Sequence, residues 1–158
     1  MARDTGLPPS LVRALLVRGL DTAEAVDRFL NPRLSDLSDP FDLPGMPAAA
    51  ARIWQAIQNG ERVVVYGDYD VDGVAAAALL VEVLRGLGGQ VDWCLPNRLE
   101  EGYGLGVEAL ERCLQERAPR LIVTVDCGTG SHAAVERARA AGVDVVVTDH
   151  HDVCRQPV

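Results

Sequence analysis

An α/β domain built on a mainly parallel sheet, with a short helical extension before it, is the fold class the sequence predicts. Two observations carry it. From residue 62 onward, apolar β-branched runs alternate with longer amphipathic stretches: Arg62 to Tyr66 (RVVVY), Leu121 to Val125 (LIVTV) and Val143 to Thr148 (VDVVVT) are the plainest runs. Continuous rather than alternating apolar runs suit strands buried on both faces, and helices between them make the crossovers of a parallel sheet. Glycines also punctuate the pattern, with Gly86, Gly88, Gly89 and Gly142 where helices should end.

The elements follow in order. Residues 8–30 predict two short helices. Ser10 can cap the first, with Leu11, Ala14, Leu15 and Arg18 at helical spacing. Asp21 or Thr22 can cap the second, with Ala25, Val26, Phe29 and Leu30 on one face, and Asn31-Pro32 stops it. Residues 31–45, with three Pro among Asp and Ser, predict an extended connector. A helix over 47–59 places Ala50, Ile53, Trp54 and Ile57 on one face before Gly60. Then come strand 62–67, helix 74–87, strand 91–95, helix 105–117, strand 120–125, helix 131–141 and strand 143–148. The expected division is residues 1–45, a helical amino-terminal extension and connector, and residues 46–158, the α/β domain.

The 158 residues suffice for a core, and at 48% hydrophobic but 4% aromatic that core must be built from Ala, Val and Leu. The net charge of −8 argues against a general nucleic-acid coat but not against a local site. All 15 basic residues are Arg, which excludes P-loop, Schiff-base and protein-kinase lysine chemistry. Codon bias is the bland reason for the missing Lys. Cys94, Cys113, Cys127 and Cys154 form no CxxC pair and no zinc-like spacing. With no signal peptide and no apolar run long enough to span a membrane, a reducing cytoplasm is the expected location and no membrane partner is expected.

The chemistry concentrates in acidic clusters that follow strands: Asp68-Tyr69-Asp70-Val71-Asp72-Gly73, then Asp126-Cys127-Gly128, then Asp149-His150-His151-Asp152. If the strands are parallel neighbours, these clusters share the sheet edge where open α/β sheets bind ligands. So many carboxylates together repel one another unless a cation sits among them, which predicts a metal site. The first cluster resembles half of an EF-hand loop, but position 12 would be Leu79 and a strand precedes it, so a calcium hand is rejected. One Asp suffices to cap a helix; three at alternate positions favour ligands. Gly128 to Ser131 offers backbone N–H groups to an anion at a helix start. Of the two His after Asp149, one can bind metal while the other meets substrate or supports a ligand. Arg98 can grip a phosphate, although a salt bridge to Glu100 or Glu101 is the plainer reading.

These motifs carry a family resemblance. GDYDVDG after the first strand, VDCG before a helix and Asp-His-His after an apolar run resemble the DHH phosphoesterase superfamily. RGLDTAEAVDRFLNP, DPFDLPGM and PNRLEEGYG extend the likeness, from about Leu7 to His151, to its branch of single-strand-specific 5′-to-3′ DNA exonucleases. The resemblance implies metal ligands at Asp70, Asp72, Asp126 and His150 with Asp68 beside them. It implies a catalytic or substrate-contacting His151; with the phosphate-binding candidates above, the expected substrate-binding set is His151, Arg98, Gly128, Ser131 and His132. It implies a function in DNA repair and recombination; carboxylates with His suit two ions, Mn²⁺ or Mg²⁺ with Mn²⁺ favoured by the His content, and Asp72, lying centrally, is expected to bridge them. The implied partners are single-stranded DNA with a 5′ end and a carboxyl-terminal part bearing a further acidic motif, so the chain by itself is not expected to process DNA. Two alternatives remain. One is a DHH phosphodiesterase of short oligonucleotides or cyclic dinucleotides, or a manganese pyrophosphatase. The other is a non-catalytic replication scaffold.

Overall fold

Four parallel strands in the order β2-β1-β3-β4 form the sheet: β1 Arg62–Gly67, β2 Gln90–Cys94, β3 Leu121–Val125 and β4 Asp144–Thr148. The structure is a computed structural model that describes residues 6–97, 102 and 104–152. Six α-helices stand among the described residues: α1 Pro9–Val17, α2 Ala23–Leu30, α3 Met46–Gln58, α4 Val71–Gly86, α5 Val107–Arg117 and α6 His132–Ala140. The predicted α/β parallel sheet with crossover helices is the fold observed.

β1 and β3 are buried almost throughout, as their uninterrupted apolar runs require. Alternate residues feed two cores. Val64, Tyr66, Cys94 and Ile122 meet Ala109, Leu110 and Cys113 of α5 and Ala134 and Ala138 of α6. Val63, Val65, Leu121, Val123 and Val125 meet Ala56 of α3 and Ala77, Val81 and Leu84 of α4 on the other face. The small residues of α3, α4 and α6 answer the shortage of aromatics, because Ala lets a helix lie close to the sheet. Arg52 of α3 bonds Glu61 and Asp144 at 2.7 Å each and ties that helix to the start of β4.

The strand order determines where a ligand can sit. The chain passes from β1 to β2 on one side, then returns to β3 on the other side of β1, so the crossovers diverge between β1 and β3. A crevice opens at the carboxyl ends of strands at such a switch point.

The chain divides into two compact units, Met1–Met46 and Pro47–Val158. Within the first, Val12, Leu15 and Val26 are buried, and Thr22 Oγ1 accepts the Ala25 N–H at 3.1 Å. Several local expectations fail here. Ser10 does not cap α1: Pro8 holds the N-cap position and Pro9 begins the helix, since proline's fixed φ suits a first turn. Leu11, Phe29 and Leu30 are exposed. The connector contains two 3₁₀ turns, Leu34–Asp36 and Pro40–Asp42, because Asp36 and Asp39 bond nearby backbone N–H groups. In the second unit Trp54 is half-exposed while Ala56 takes the buried position.

No described helix is long and apolar enough to cross a membrane.

Candidate metal centre

Register brings three acidic residues side by side. Gly67 pairs with Val125, and Val125 with Thr148. The next residue of each strand is therefore Asp68, Asp126 and Asp149, abreast at the carboxyl edge. The sequence separation of these residues is large, and only parallel pairing without slip removes it.

The first cluster is shaped by a tight turn between β1 and α4. A Cβ at Gly73 would lie 2.5 Å from the Asp68 nitrogen and 2.6 Å from its carbonyl oxygen, and one at Gly67 would lie 2.7 Å from the Gly73 carbonyl oxygen. Backbone therefore passes against backbone, and glycine is required at both ends of GDYDVDG. The helix begins at Val71, three residues before the predicted start, because Asp70 is its N-cap and accepts the Gly73 N–H at 3.0 Å. Asp72 consequently lies in the first turn of α4 and is exposed. Asp68 is 1% exposed, with Oδ1 accepting the Tyr69 N–H at 2.7 Å. Burial, and then the charges of Asp70 and Asp126, push its carboxyl above the ordinary range despite that hydrogen bond.

The second cluster carries backbone strain. Asp126 has φ +61° although it is not glycine, and it is buried, with its N–H bonded to the Thr148 carbonyl at 3.0 Å. Such a conformation costs on the order of 1 kcal/mol and concentrates at functional sites. Gly128, at φ +116°, has no alternative: a Cβ there would lie 2.6 Å from Thr124 Oγ1. Cys127 is fully buried, and burial with the charges of Asp68, Asp149 and Asp126 pushes its thiol up to about 12, so it is no nucleophile.

The third cluster gathers around the second. His150 Nε2 lies 2.8 Å from Asp126 Oδ1, and the two His rings are 4.7 Å apart between centroids. Asp126, His150 and His151 each offer a ligand atom within 4.8 Å of the others, the one such group among the described residues. Asp149 is almost wholly buried. Its Oδ2 accepts the Thr129 N–H at 3.0 Å, and its Oδ1 accepts from His151 Nδ1 at 2.8 Å and from the His151 N–H at 3.2 Å. Burial opposes its charge, yet the bonds from Thr129 and His151 hold its carboxyl well below the ordinary range. Asp149 in turn raises the His151 imidazole.

A cavity of about 570 Å³ adjoins this group, lined by Gly106 and Val107 at the start of α5, by Gly128 to Ser131 at the start of α6, and by Asp149 and His151. The N-caps of both helices, Gly106 and Ser131, make no side-chain capping bond. Tyr66 Oη donates to the Gly104 carbonyl at 3.2 Å and anchors one wall. His132, with Nδ1 3.3 Å from the Gly130 carbonyl, does not line the cavity. Arg98, Glu100 and Glu101 lie outside the described residues.

The donor set suits a hard-to-borderline divalent cation: carboxylate oxygen and imidazole nitrogen, with no thiol in the close group among the described residues. The structure thus gathers Asp126, His150 and His151, sets Asp68 beside Asp126, and leaves Asp70 and Asp72 outside the close group, Asp70 capping α4. Asp149 and Thr129, which hold His151 and the α6 approach, were not among the candidate site residues. The Asp-His-His triplet pointed to Asp149, and the Gly128 to Ser131 stretch of N–H groups included Thr129, whose N–H is taken by Asp149.

Residues 62–157 match the model of the DHH family, N-terminal domain. The single-stranded-DNA-specific exonuclease RecJ of Bacillus subtilis (strain 168) is 45% identical over 143 residues, covering 90% of this chain and 18% of that protein. RecJ of Escherichia coli (strain K12) is 42% identical over 147 residues, 92% of this chain and 24% of that protein. A crystal structure of exonuclease RecJ bound to manganese matches with a TM-score of 0.68 at 43% identity, over 73% of this chain and 29% of that one. RecJ in complex with Mn²⁺ from Thermus thermophilus matches with a TM-score of 0.67 at 33% identity, over 96% of this chain and 22% of that one. The chain spans about a fifth to a quarter of the length of these relatives.

Proposed function

This chain belongs to the DHH family, and on that premise we propose that it is the metal-holding amino-terminal part of a 5′-to-3′ exonuclease for single-stranded DNA. The domain division proposed is the helical extension 1–45 and the DHH domain 46–158. One observation carries the reading: the sheet register sets Asp68 beside Asp126, and Asp126 meets His150 and His151, at the switch point of a chain similar to RecJ over 90% of its length.

Asp126 and His150, with Asp68, Asp70 and Asp72 nearby, hold Mn²⁺ or Mg²⁺ on this reading, with Mn²⁺ favoured by the imidazole. Such an ion activates water and neutralises charge developing on a phosphodiester under attack. His151 contacts the substrate phosphate. The N–H groups at the start of α6, with Gly128, Ser131 and His132, and Arg98, which follows β2 in the sequence, form the rest of the substrate-binding set. The net charge of −8 gives the chain no broad hold on a polyanion, so the DNA track belongs to the remainder of a longer polypeptide. A role in DNA repair and recombination in the cytoplasm accords with this activity.

The test is degradation of single-stranded DNA labelled at either end, with Mn²⁺, by the longest polypeptide that carries this chain. Loss of the 5′ label as mononucleotide, abolished by Asp126→Ala, is the expected result. Release from the 3′ end, or activity untouched by Asp126→Ala, overturns the reading.

A further inference from the structure

We infer that Asp149 is a positioning residue that sets His151 and the start of α6 together, fixing the imidazole as its Nδ1–H tautomer with the lone pair on Nε2. The inference rests on the nuclease reading for its consequence in turnover, but its geometry stands by itself. An ionised carboxylate only accepts hydrogen bonds. Of the groups on Asp149, the Thr129 and His151 backbone N–H can only donate, and the Thr129 hydroxyl also turns its proton to the carboxylate. His151 Nδ1, at 2.8 Å from Oδ1, must likewise carry the proton. The side chain of Asp149 is almost wholly buried, so water does not readily substitute for any of these partners. Both oxygens are committed: Oδ2 to Thr129, one residue before the exposed Gly130 that precedes α6, and Oδ1 to His151.

One carboxylate thus spans the two elements proposed to meet the substrate phosphate. The imidazole ring is turned so that it shares the close group with Asp126 and His150. The Thr129 N–H is committed to Asp149, which leaves the later turn of the loop to face an anion. A carboxylate behind an imidazole orients the ring and selects its tautomer, and removing such a partner usually lowers activity about 10- to 100-fold.

Asparagine has the shape of aspartate but cannot accept all of these bonds. With its oxygen toward Thr129, its NH₂ faces two donors on His151; flipped, its NH₂ faces the Thr129 N–H. Nitrogen-15 NMR of the three imidazoles in the chain, with all of them neutral, reads the outcome. His151 should be Nδ1–H in the wild type and mainly Nε2–H in Asp149→Asn. In the longest polypeptide carrying the chain, Asp149→Asn should lower kcat about 10- to 100-fold with KM within about twofold. An Nε2–H His151 in the wild type overturns the inference whether or not the variant folds. So does an unchanged tautomer in a folded variant, or an unchanged kcat. A tautomer switch in a polypeptide that degrades no DNA supports the positioning role and removes the nuclease reading instead.

Discussion

The segments after β1 and after β4 carry similar acidic clusters and use them differently. After β1, the carboxylates serve the backbone: Asp68 holds the Tyr69 N–H, Asp70 caps α4, and Asp72 points to solvent. After β4, side chain meets side chain as well: besides two backbone N–H groups, Asp149 grips the His151 imidazole, and His150 reaches across to Asp126 just beyond the neighbouring strand. The difference lies in the path of the chain beyond each strand. After β1 it turns at once into a helix, whose exposed N–H groups claim the nearest carboxylates. The residues after β4 are in no helix as far as residue 152, so they turn toward a neighbouring strand instead.

The largest expected effect tests the turn after β1. Gly73→Ala would set a methyl 2.5 Å from the Asp68 nitrogen, with only backbone to give way. It should cost about 3 kcal/mol, read as a shifted denaturant midpoint at constant slope. A loss below about 1 kcal/mol would mean the turn opens easily and the cluster is less rigid than described.

Metal binding comes next. Asp126→Ala should weaken Mn²⁺ binding to this chain by more than tenfold, a loss that even supporting residues can cause. The metal-free melting temperature should hold, because removing one of several crowded carboxylates relieves repulsion. Collapse of the metal-free protein would make Asp126 a structural residue.

The Asp70 and Asp72 pair divides the β1 segment more finely. Asp70→Ala should cost about 1 kcal/mol of stability through the lost cap. Asp72→Ala should stay within about 0.5 kcal/mol, since its side chain is exposed and bonds no backbone group in the structure, while still lowering Mn²⁺ affinity if Asp72 is a ligand. Equal Mn²⁺ uptake by Asp72→Ala and wild type would remove it from the ligand set.

The smallest effect concerns pH and belongs to the β4 segment. Asp149 raises the His151 imidazole above its ordinary 6.5. The stabilisation this brings is complete below that value and is lost as pH rises through the higher folded value. Metal-free wild type should therefore melt slightly lower as pH climbs above about 6.5. Asp149→Asn should flatten that decline; an equal slope in both proteins would separate the two residues energetically.

Much of this was legible in the chain. The runs RVVVY and LIVTV name buried parallel strands because no charged residue interrupts them, and GDYDVDG, VDCG and Asp-His-His name the places where chemistry follows a strand. The start of α4 is not legible in the same way, because Asp70 and Asp72 look alike as ligands, whereas a cap is a contest among neighbouring side chains for one N–H. Ser10 loses a similar contest to the fixed φ of Pro8-Pro9. Trp54 shows the limit of periodicity: at helical spacing it belongs with Ile53 and Ile57, yet the sheet is met by Ala56, which lets the helix approach more closely.

By itself, then, the sequence determined the elements, their parallel arrangement and the residue types at the site, because period, β-branching and turn chemistry are local properties. Only the tertiary structure decided which carboxylates meet. Strand order and register are settled by packing both sheet faces at once, and a slip of one residue would turn Asp126 away from His150. The Asp126 N–H bond to the Thr148 carbonyl and the Asp149 bond to Thr129 exist only after β3 and β4 have paired, since each joins partners some 20 residues apart in the chain.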